Sequence, residues 1–315
     1  MTRKLNVIVF LRESSNRYRE RLTDSDEIGY YFCNNEAEIG RVIHLADIVL
    51  GSIRFPGSIL AEAGRLKWIQ ATAAGVDAFL ATSRLPEGVL LSRADVAFGD
   101  QIGEYVIAHL LAHTQRLRDV YHLQREQTWQ PLAVSFLKDW TLGVAGAGSI
   151  GQAVAKRARG MDMRPLGLAR RPREIAPFDH VYGPGELEAF LAKLDALVIC
   201  LPLTPETRGM FGANQLELLK PSALLVNVAR GAIVDETALL KALQEKRLGG
   251  AILDVFWHEP LSPDHPFWFM DNVTITSHHA GLNVPDTIID FFLENLRRFR
   301  SGEPILGLVD PDRGY

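Results

Sequence analysis

Residues 140–151 read WTLGVAGAGSIG, and the next ten residues read QAVAKRARGM. The apolar run at 141–145 predicts a short buried strand, and the apolar residues after Gly151 recur at helical spacing. A strand, a glycine-rich turn and a helix, in this order, form the context that a dinucleotide-binding fingerprint requires. Because the glycine pattern alone is weak support, the rest of the chain has to agree with it.

Each glycine of the pattern G-x-G-x-x-G has its own expected role. Gly146 would allow a tight turn, Gly148 would let the backbone approach a pyrophosphate, and Gly151 would let the helix pack against the strand. Backbone N–H groups at the positive start of the helix, near Ser149 and Ile150, would then bind the phosphates.

The composition is that of a globular protein with one large or two ordinary domains, since the chain has 315 residues and a hydrophobic fraction of 47%. The net charge of −4 and the pI near 6.2 argue against nucleic acid or an anionic membrane as a partner. The two cysteines, Cys33 and Cys200, indicate neither a disulfide framework nor a zinc site, and we expect no metal. The apolar run at 5–11 is too short to span a bilayer, so we expect a cytoplasmic protein.

The stretch before residue 98 alternates strand-like and helix-like segments, which predicts a parallel sheet with crossover helices. The predicted strands lie at 5–11, 28–33, 47–52 and 89–94, a strand followed by a loop lies at 66–75, and the helical segments lie at 36–45 and 56–64.

A long helical pattern then runs from Gly99 to about Trp129. The helix has one apolar face, and we expect this face to pack either inside the chain or against a second copy. The second option predicts a two-fold homodimer. The apolar residues on the face are Ile102, Val106, Ile107, Leu110 and Leu111.

Five further apolar strands follow the fingerprint and, with its own strand, make six. Near-continuous apolar strands are expected in a sheet covered on both faces, and six of them with intervening helices fit the doubly wound, Rossmann-type nucleotide fold. They lie at 165–170, 196–202, 223–229, 250–256 and 273–278.

The amphipathic stretch at 285–301 predicts a final helix for which no strand remains in the second sheet. We therefore expect the chain to return to its first part. The predicted domains are a substrate-binding, flavodoxin-like domain of residues 1–97 plus 285–315 and a dinucleotide-binding domain of residues 98–284. The predicted fold class is α/β, with two doubly wound parallel sheets and a cleft between them.

Three polar residues, here called the trio, follow predicted strands of the second domain: Arg230, Glu259 and His278. Ligands of such folds bind beyond the carboxyl ends of the strands. Reduction of a 2-oxo acid puts hydride on the carbonyl carbon and negative charge on its oxygen. A protonated imidazole can supply the proton, a carboxylate beside it favours the charged form, and a guanidinium can bind the substrate carboxylate.

Five strings resemble the D-isomer-specific 2-hydroxyacid dehydrogenase family, and together they are specific. They cover most of residues 140–281 in the family's order, and KWIQATAAGVD at 67–77 resembles the family's substrate-carboxylate loop. The segments EYVIAHLL and WQPL are most similar to the glyoxylate/hydroxypyruvate reductase branch. The five strings are TLGVAGAGSIG, LPLTPETRGMFG, LLVNVARGAIVDETAL, AILDVFWHEPL and TITSHHAG.

The resemblance implies an NAD(P)-dependent enzyme that acts on a small 2-oxo or 2-hydroxy acid and uses the trio for catalysis. It implies a carboxylate cradle of backbone N–H groups around Ala74, Gly75 and Val76, and it implies that Asp254 holds the nicotinamide carboxamide. Further cofactor contacts are implied at Ser149, Ile150, Pro202, Thr207, Val228 and Ala229.

The histidine region departs from the family pattern. Ser277 stands where the family usually has proline, and His278 is followed directly by His279. Side chains alternate along a strand, so only one imidazole should face the ligand, and the family's spacing favours His278. His279 remains the alternative, while His258 and His265 are interpreted as bystanders.

The residues after the second strand of the nucleotide domain also depart from the NAD-specific pattern. Folds specific for NAD usually carry an acid about 20 residues beyond the first motif, where it binds the adenosine ribose. Residues 168–172 read LARRP instead, which removes the acid and supplies Arg170 and Arg171. We therefore expect NADP(H) to be preferred, with NAD(H) possible.

Two other functions stay open at this level. The same fold serves dinucleotide-sensing corepressors, and related dehydrogenases act on formate or phosphite, although the trio and the cradle fit a hydroxy acid better. The substrate side chain is not defined by the sequence. The candidates that would select it are Ile53, Arg54 and Phe55.

Overall fold

The computed structural model describes residues 3–11, 15–52, 55–310 and 313–314. The chain divides into two compact units, one formed by Met1–Phe98 with Asn283–Tyr315 and the other by Gly99–Leu282. No described helix is long and apolar enough to cross a membrane.

The first unit contains parallel strands joined by short helices. Its elements up to Phe98 are β1 (Leu5–Phe10), α1 (Ser15–Arg21), β2 (Ile28–Cys33), α2 (Glu36–Val42), β3 (Ile48–Gly51), β4 (Trp68–Ala71), α3 (Asp77–Thr82) and β5 (Leu90–Ser92), with 3₁₀ helices at Ile43–Leu45, Gly57–Glu62 and Asp95–Phe98. Among the described residues the sheet has five strands, in the order β2-β1-β3-β4-β5. This is the flavodoxin-like order that we predicted.

The structure differs from the sequence-based expectation at three points of the first unit. Helix α3 lies in a stretch for which the sequence predicted no element, because six residues are too few to show a helical period. The predicted helix at 56–64 is a 3₁₀ helix. Phe55 is only 4% exposed and its ring packs edge-on against Phe10, with 5.8 Å between centroids. It is therefore a core residue and does not select the substrate, while Ile53 and Arg54 lie outside the described residues.

The second unit carries the glycine-rich turn. Its elements are α4 (Gly99–Thr114), α5 (Leu117–Arg125), β6 (Thr141–Ala145), α6 (Ser149–Arg159), β7 (Arg164–Leu168), β8 (His180–Tyr182), α7 (Leu187–Leu191), β9 (Ala196–Ile199), α8 (Ala213–Glu217), β10 (Leu224–Asn227), α9 (Glu236–Gln244), β11 (Gly250–Leu253) and β12 (Val273–Ile275), with 3₁₀ helices at Pro184–Glu186, Gly231–Ile233 and Pro266–Phe269. The strand order in the described part is β12-β11-β10-β9-β6-β7-β8, and all of its pairs are parallel. The doubly wound, Rossmann-type prediction is confirmed.

Two details of the second unit differ from the prediction. The sheet has seven described strands instead of six, because the edge strand β8 is only three residues long. The expected single helix from Gly99 to Trp129 is two helices, α4 and α5. The break occurs at Arg116, whose φ of 51° is left-handed and ends the α-helical path.

The last helix, α10 (Pro285–Ser301), packs on β4 of the first unit. The ring of Trp68 on β4 stacks on Phe292 and on Phe299, with 5.6 Å between ring centroids in each pair. Buried Asn295 donates a hydrogen bond to the Gln70 side chain at 2.9 Å. These contacts join the C-terminal segment to the strand that leads into residues 73–77.

Candidate active site

The trio follows three neighbouring strands of the second sheet. Arg230 comes after β10, Glu259 follows β11, and His278 follows β12. The strands are adjacent in the order β12-β11-β10 and run parallel, so their carboxyl ends share one edge of the sheet. Ligands of doubly wound sheets bind beyond this edge.

The structure brings His278 and Glu259 into direct contact. Nδ1 of His278 lies 2.8 Å from Oε2 of Glu259. The other carboxylate oxygen of Glu259 accepts a hydrogen bond from the Phe256 backbone N–H at 3.0 Å. The backbone thus fixes the carboxylate in place. Glu259 contacts Nδ1, so the other ring nitrogen of the half-exposed imidazole, Nε2, is the one that can contact a ligand.

The backbone of His278 is in the left-handed region, with a φ of 55°. A non-glycine residue there costs roughly 1–3 kcal/mol and persists only when its surroundings hold it. Asp254, directly after β11, provides that support. Its backbone oxygen accepts from the N–H of His278 at 2.9 Å, and its carboxylate accepts from the N–H groups of His279 at 2.9 Å and Ala280 at 3.0 Å.

Asp254 is only 1% exposed, so its carboxylate serves first to hold the histidine loop. The predicted contact of Asp254 with the nicotinamide carboxamide stays a prediction.

The ring of His279 lies in a different place from that of His278, since it packs edge-on against Tyr105 with 5.9 Å between centroids. His265 is a helix-capping residue, because its Nδ1 accepts from the Phe267 N–H at 3.3 Å.

The turn that carries Arg230 is held by a buried residue that the sequence reasoning missed. Asn227, 1% exposed at the end of β10, donates to the Arg230 backbone oxygen at 3.0 Å and accepts from the Ala229 N–H at 3.1 Å. A Cβ at Gly231 would lie 2.1 Å from the Phe256 backbone. Glycine is therefore needed where this turn packs against the segment that anchors Glu259.

The backbone geometry itself requires two of the three fingerprint glycines. Gly146 has a φ of 107°, which disfavours other residues, and a Cβ at Gly151 would lie 2.0 Å from the Gly146 oxygen. A Cβ at Gly148 would meet no protein atom within 4 Å. Packing therefore does not require glycine at 148, whereas a phosphate drawn close to the backbone there would. Helix α6 begins beside it at Ser149, with no acid in its first turn.

The other predicted cofactor residues lie after neighbouring strands of the same sheet. Arg170 and Arg171 follow β7 and are exposed. Thr207 shapes the loop after β9, since its hydroxyl donates to the Pro202 oxygen at 2.7 Å. Val228 and Ala229 follow β10 beside Arg230. The fit of this edge to a dinucleotide thus rests on strands β6, β7, β9 and β10 together.

The predicted carboxylate cradle belongs to the first unit. Ala74, Gly75 and Val76 follow strand β4 and precede helix α3, and Ala74 and Gly75 are partly exposed whereas Val76 is buried. The preceding Ala73 oxygen accepts from the Ala94 N–H at 3.0 Å, which fixes the start of the loop.

In the described part of the chain, no group of three His, Cys, Asp or Glu side chains is placed to hold a metal ion. Both cysteines are free thiols.

Two further residues near the histidine loop were also missed. Thr276 donates a hydrogen bond to Asp254, and Tyr105 of α4 contacts Thr276. Asn227 had a sequence signal, as a polar residue inside the apolar run LLVNVA. Tyr105 had none, because its partner is 171 residues away.

The fold and this edge of the sheet match a known family. Residues 107–280 match the model described as D-isomer specific 2-hydroxyacid dehydrogenase, NAD binding domain, which is more than half of the chain. The chain belongs to this family. It is therefore an NAD(P)-dependent dehydrogenase or reductase, and the resemblance read from the sequence motifs is confirmed.

Relatives and solved structures of similar proteins agree. A glyoxylate/hydroxypyruvate reductase A from Serratia proteamaculans is 37% identical over 268 residues, which cover 83% of this chain and 86% of that protein. A crystal structure of a family protein from Aeromonas salmonicida is 34% identical with a TM-score of 0.87, covering 98% of this chain and 100% of that one. An NADPH-dependent glyoxylate/hydroxypyruvate reductase from Sinorhizobium meliloti, solved with NADP and sulfate, is 31% identical with a TM-score of 0.89, covering 99% of this chain and 100% of that one.

Proposed function

We propose that this protein reduces a small 2-oxo acid of the glyoxylate or hydroxypyruvate type to the D-2-hydroxy acid, with NADPH as the reductant. The observation that carries the proposal is the hydrogen bond of 2.8 Å between His278 and Glu259 at the carboxyl edge of a dinucleotide-binding sheet. The names of the similar reductases support the substrate class.

His278 is assigned the role of proton donor. When bound, the reduced nicotinamide supplies hydride to the carbonyl carbon, and the carbonyl oxygen gains negative charge. Because the Glu259 carboxylate can only accept, the hydrogen bond with it is assigned to Nδ1–H of His278, and Nε2–H is assigned as the donor to the carbonyl oxygen. Glu259 stabilises the charged imidazolium and fixes its orientation, because its second oxygen is held by the Phe256 N–H.

Arg230 and the cradle are assigned to substrate binding. A guanidinium forms two parallel charge-assisted hydrogen bonds with a carboxylate and stabilises charge that develops nearby. The backbone N–H groups around Ala74, Gly75 and Val76 are proposed to bind the same carboxylate class from the first unit. Each of these two contacts would select acids over neutral carbonyl compounds.

NADPH is assigned as the preferred cofactor because of the turn after β7. Arg170 and Arg171 stand where an acid would favour NAD, and both are exposed for a 2′-phosphate. The similar reductase from Sinorhizobium meliloti was solved with NADP, which supports this choice. The phosphate-binding residues are proposed to be Gly146, Gly148, Ser149, Ile150 and Gly151, and the remaining contacts are proposed at Pro202, Thr207, Val228, Ala229 and Asp254.

A survey of substrates tests the proposed function. Initial rates with glyoxylate, hydroxypyruvate, pyruvate and longer 2-oxo acids are measured with NADPH, and formate and phosphite are tested in the oxidative direction. We expect the highest kcat/KM with glyoxylate and hydroxypyruvate. Turnover with formate or phosphite alone would overturn the assignment.

The role of His278 has its own test. His278→Ala should lower kcat by about 10²–10⁴-fold, the usual contribution of general acid catalysis, while leaving the NADPH dissociation constant almost unchanged. The matched control is His279→Ala, which removes the neighbouring imidazole but keeps the hydrogen bond to Glu259. A larger loss in His279→Ala than in His278→Ala would show that the proton donor is misassigned.

A further inference from the structure

The loop that carries His278 depends on one buried carboxylate. Three consecutive backbone N–H groups, from His278 to Ala280, donate to Asp254, two of them to its side chain. The orientation of the Asp254 carboxylate therefore decides where this loop lies and, with it, where Nε2 of His278 points.

Thr276 holds that carboxylate. Its hydroxyl donates to Oδ1 of Asp254 at 2.6 Å, and its backbone N–H donates to the Leu253 oxygen at 3.0 Å. Thr276 is thereby held through both its side chain and its backbone, two residues before His278. Oδ1 accepts from the Thr276 hydroxyl and from the His279 N–H, so both of its lone pairs are used.

Tyr105 of helix α4 completes the arrangement. Its hydroxyl lies 2.7 Å from the Thr276 hydroxyl oxygen. A threonine hydroxyl has one proton, and here that proton goes to the carboxylate, so Tyr105 must be the donor to Thr276. Burial raises the pKa of Tyr105, which keeps the phenol protonated and able to donate. A directed chain of hydrogen bonds thus runs from Tyr105 through Thr276 to Asp254.

We propose that Thr276 and Tyr105 are positioning residues for the proton donor. They act through Asp254 on the left-handed backbone of His278 and do not themselves contact the substrate. This inference rests on the proposed role of His278. Since a displacement of about 1 Å in a reacting group can cost up to about a hundredfold in rate, loss of the chain should lower kcat and leave ground-state binding almost intact.

A pair of substitutions at one position tests the inference. Thr276→Val keeps the shape but removes the hydroxyl, and we expect kcat to fall by about tenfold to a hundredfold with KM for the 2-oxo acid and Kd for NADPH within about twofold. Thr276→Ser keeps the hydroxyl and should restore kcat to within about threefold of wild type. Thr274→Val, at an exposed threonine of β12, is the matched control and should be unchanged.

A second variant tests the same chain of hydrogen bonds independently, in case Thr276→Val does not fold. Tyr105→Phe retains the ring but removes the donor, so it should lower kcat by a smaller factor with an unchanged Kd for NADPH. The inference is overturned if Thr276→Val and Tyr105→Phe both keep wild-type kcat, if Thr276→Ser fails to rescue, or if the loss lies in NADPH affinity instead of kcat.

A double substitution separates this inference from the proposed function. If Thr276 acts through His278, then Thr276→Val added to His278→Ala should cause no further loss beyond the residual rate. An equal loss in both backgrounds overturns the positioning role while the proton donor stands. Wild-type kcat in His278→Ala overturns the proton donor and the inference with it.

Discussion

Arg230 shows how much one guanidinium contributes to the proposed site. Its backbone oxygen accepts a hydrogen bond from Asn227, and its Nη1 donates to the Ala229 oxygen at 2.8 Å, so the guanidinium has a defined orientation. Arg230→Lys keeps the charge but loses the planar pair of donors. We expect kcat/KM to fall by about ten- to a hundredfold, which corresponds to about 1.5–3 kcal/mol for one charged hydrogen bond.

The measurement is steady-state kinetics with the preferred 2-oxo acid, beside Arg247→Lys as a matched control. Arg247 is an exposed arginine that forms an ion pair with Glu217 at 3.0 Å, and lysine should replace it without effect. Unchanged kinetics in Arg230→Lys would remove this residue from the site.

At the residue scale, the sequence predicts the positions of the charged residues better than those of the residues that hold their loops by hydrogen bonds. Arg230, Glu259 and His278 each follow a predicted strand, and parallel strands bring such positions to one edge. Asn227 and Thr276 are hydrogen-bonded supports whose partners depend on the turn geometry and on strand order. The turn geometry includes the left-handed φ of His278, which a propensity argument does not predict for histidine.

Among the elements, the turn after β7 is the one proposed to select the cofactor. We predict that kcat/KM with NADPH exceeds that with NADH by about ten- to a hundredfold, because one well-formed arginine–phosphate contact is worth about 1.5–3 kcal/mol. Exposure of Arg170 and Arg171 favours the lower figure, since salt screens such pairs. Arg170 also lies near Glu206, whose carboxyl pKa is lowered mainly by a hydrogen bond with Thr204 and partly by this guanidinium.

The cofactor ratio is measured in the wild type, in Arg170→Ala and in Arg171→Ala. Arg173→Ala, an exposed arginine beyond Pro172, is the control that should keep the wild-type ratio. A wild-type ratio at or below one, or a ratio that neither substitution changes, contradicts the assignment.

Helix α4 introduces a pH-dependent contribution to stability. Burial, and to a smaller extent the charge of His279, lower the pKa of His109 below its ordinary value of 6.5. The unfolded chain therefore binds the proton more readily, and the folded state loses stability as the pH falls through 6.5. His109→Phe keeps a ring against Tyr105, whose ring centroid is 4.3 Å away, but cannot titrate.

We expect the free energy of unfolding to decrease less in His109→Phe than in wild type between about pH 7.5 and about pH 5.5. Urea titrations at the two pH values measure this, and His122→Gln on the exposed helix α5 should follow the wild type. Parallel pH dependence in His109→Phe and wild type would contradict the predicted contribution.

The elements that the sequence predicts correctly are those with a long or strongly apolar pattern. Strand β6 and helix α10 were found with nearly their true bounds. Strand β8 and helix α3 were missed because three and six residues carry too little periodicity. The break at Arg116 has no glycine or proline to mark it, and its ion pair with Asp119 at 2.7 Å forms only once the chain has turned.

At the scale of the whole molecule, the structure shifts the expected contact with a second copy away from helix α4. The apolar face of α4 was one predicted contact, but Ile102, Val106 and Leu110 are buried within the chain as α4 packs on α6. A Cβ at Gly99 would lie 2.9 Å from Ala153 on α6, which shows how closely the two helices approach. That face is therefore occupied already in the monomer.

The exposed apolar surface lies further along, on α5 and the segment that follows it. Large apolar and aromatic side chains exposed at several positions of one segment are typical of an interface. Aromatic side chains supply much of the binding energy when two copies meet about a two-fold axis. The exposed side chains, with their exposed fractions, are Leu117 38%, Val120 41%, Tyr121 62%, Trp129 99%, Val134 50% and Phe136 77%.

We predict a homodimer at micromolar concentration that the double substitution Tyr121→Asp with Phe136→Asp converts into a folded monomer. Burial of a carboxylate in place of an aromatic ring opposes association because the charge has to be desolvated. Light scattering gives the mass and circular dichroism gives the fold. Phe269→Asp is the matched control, since this ring is 78% exposed but lies outside the 117–136 surface, and it should remain dimeric. A monomeric wild type, or a doubly substituted chain that stays dimeric, would show that this surface is not the interface.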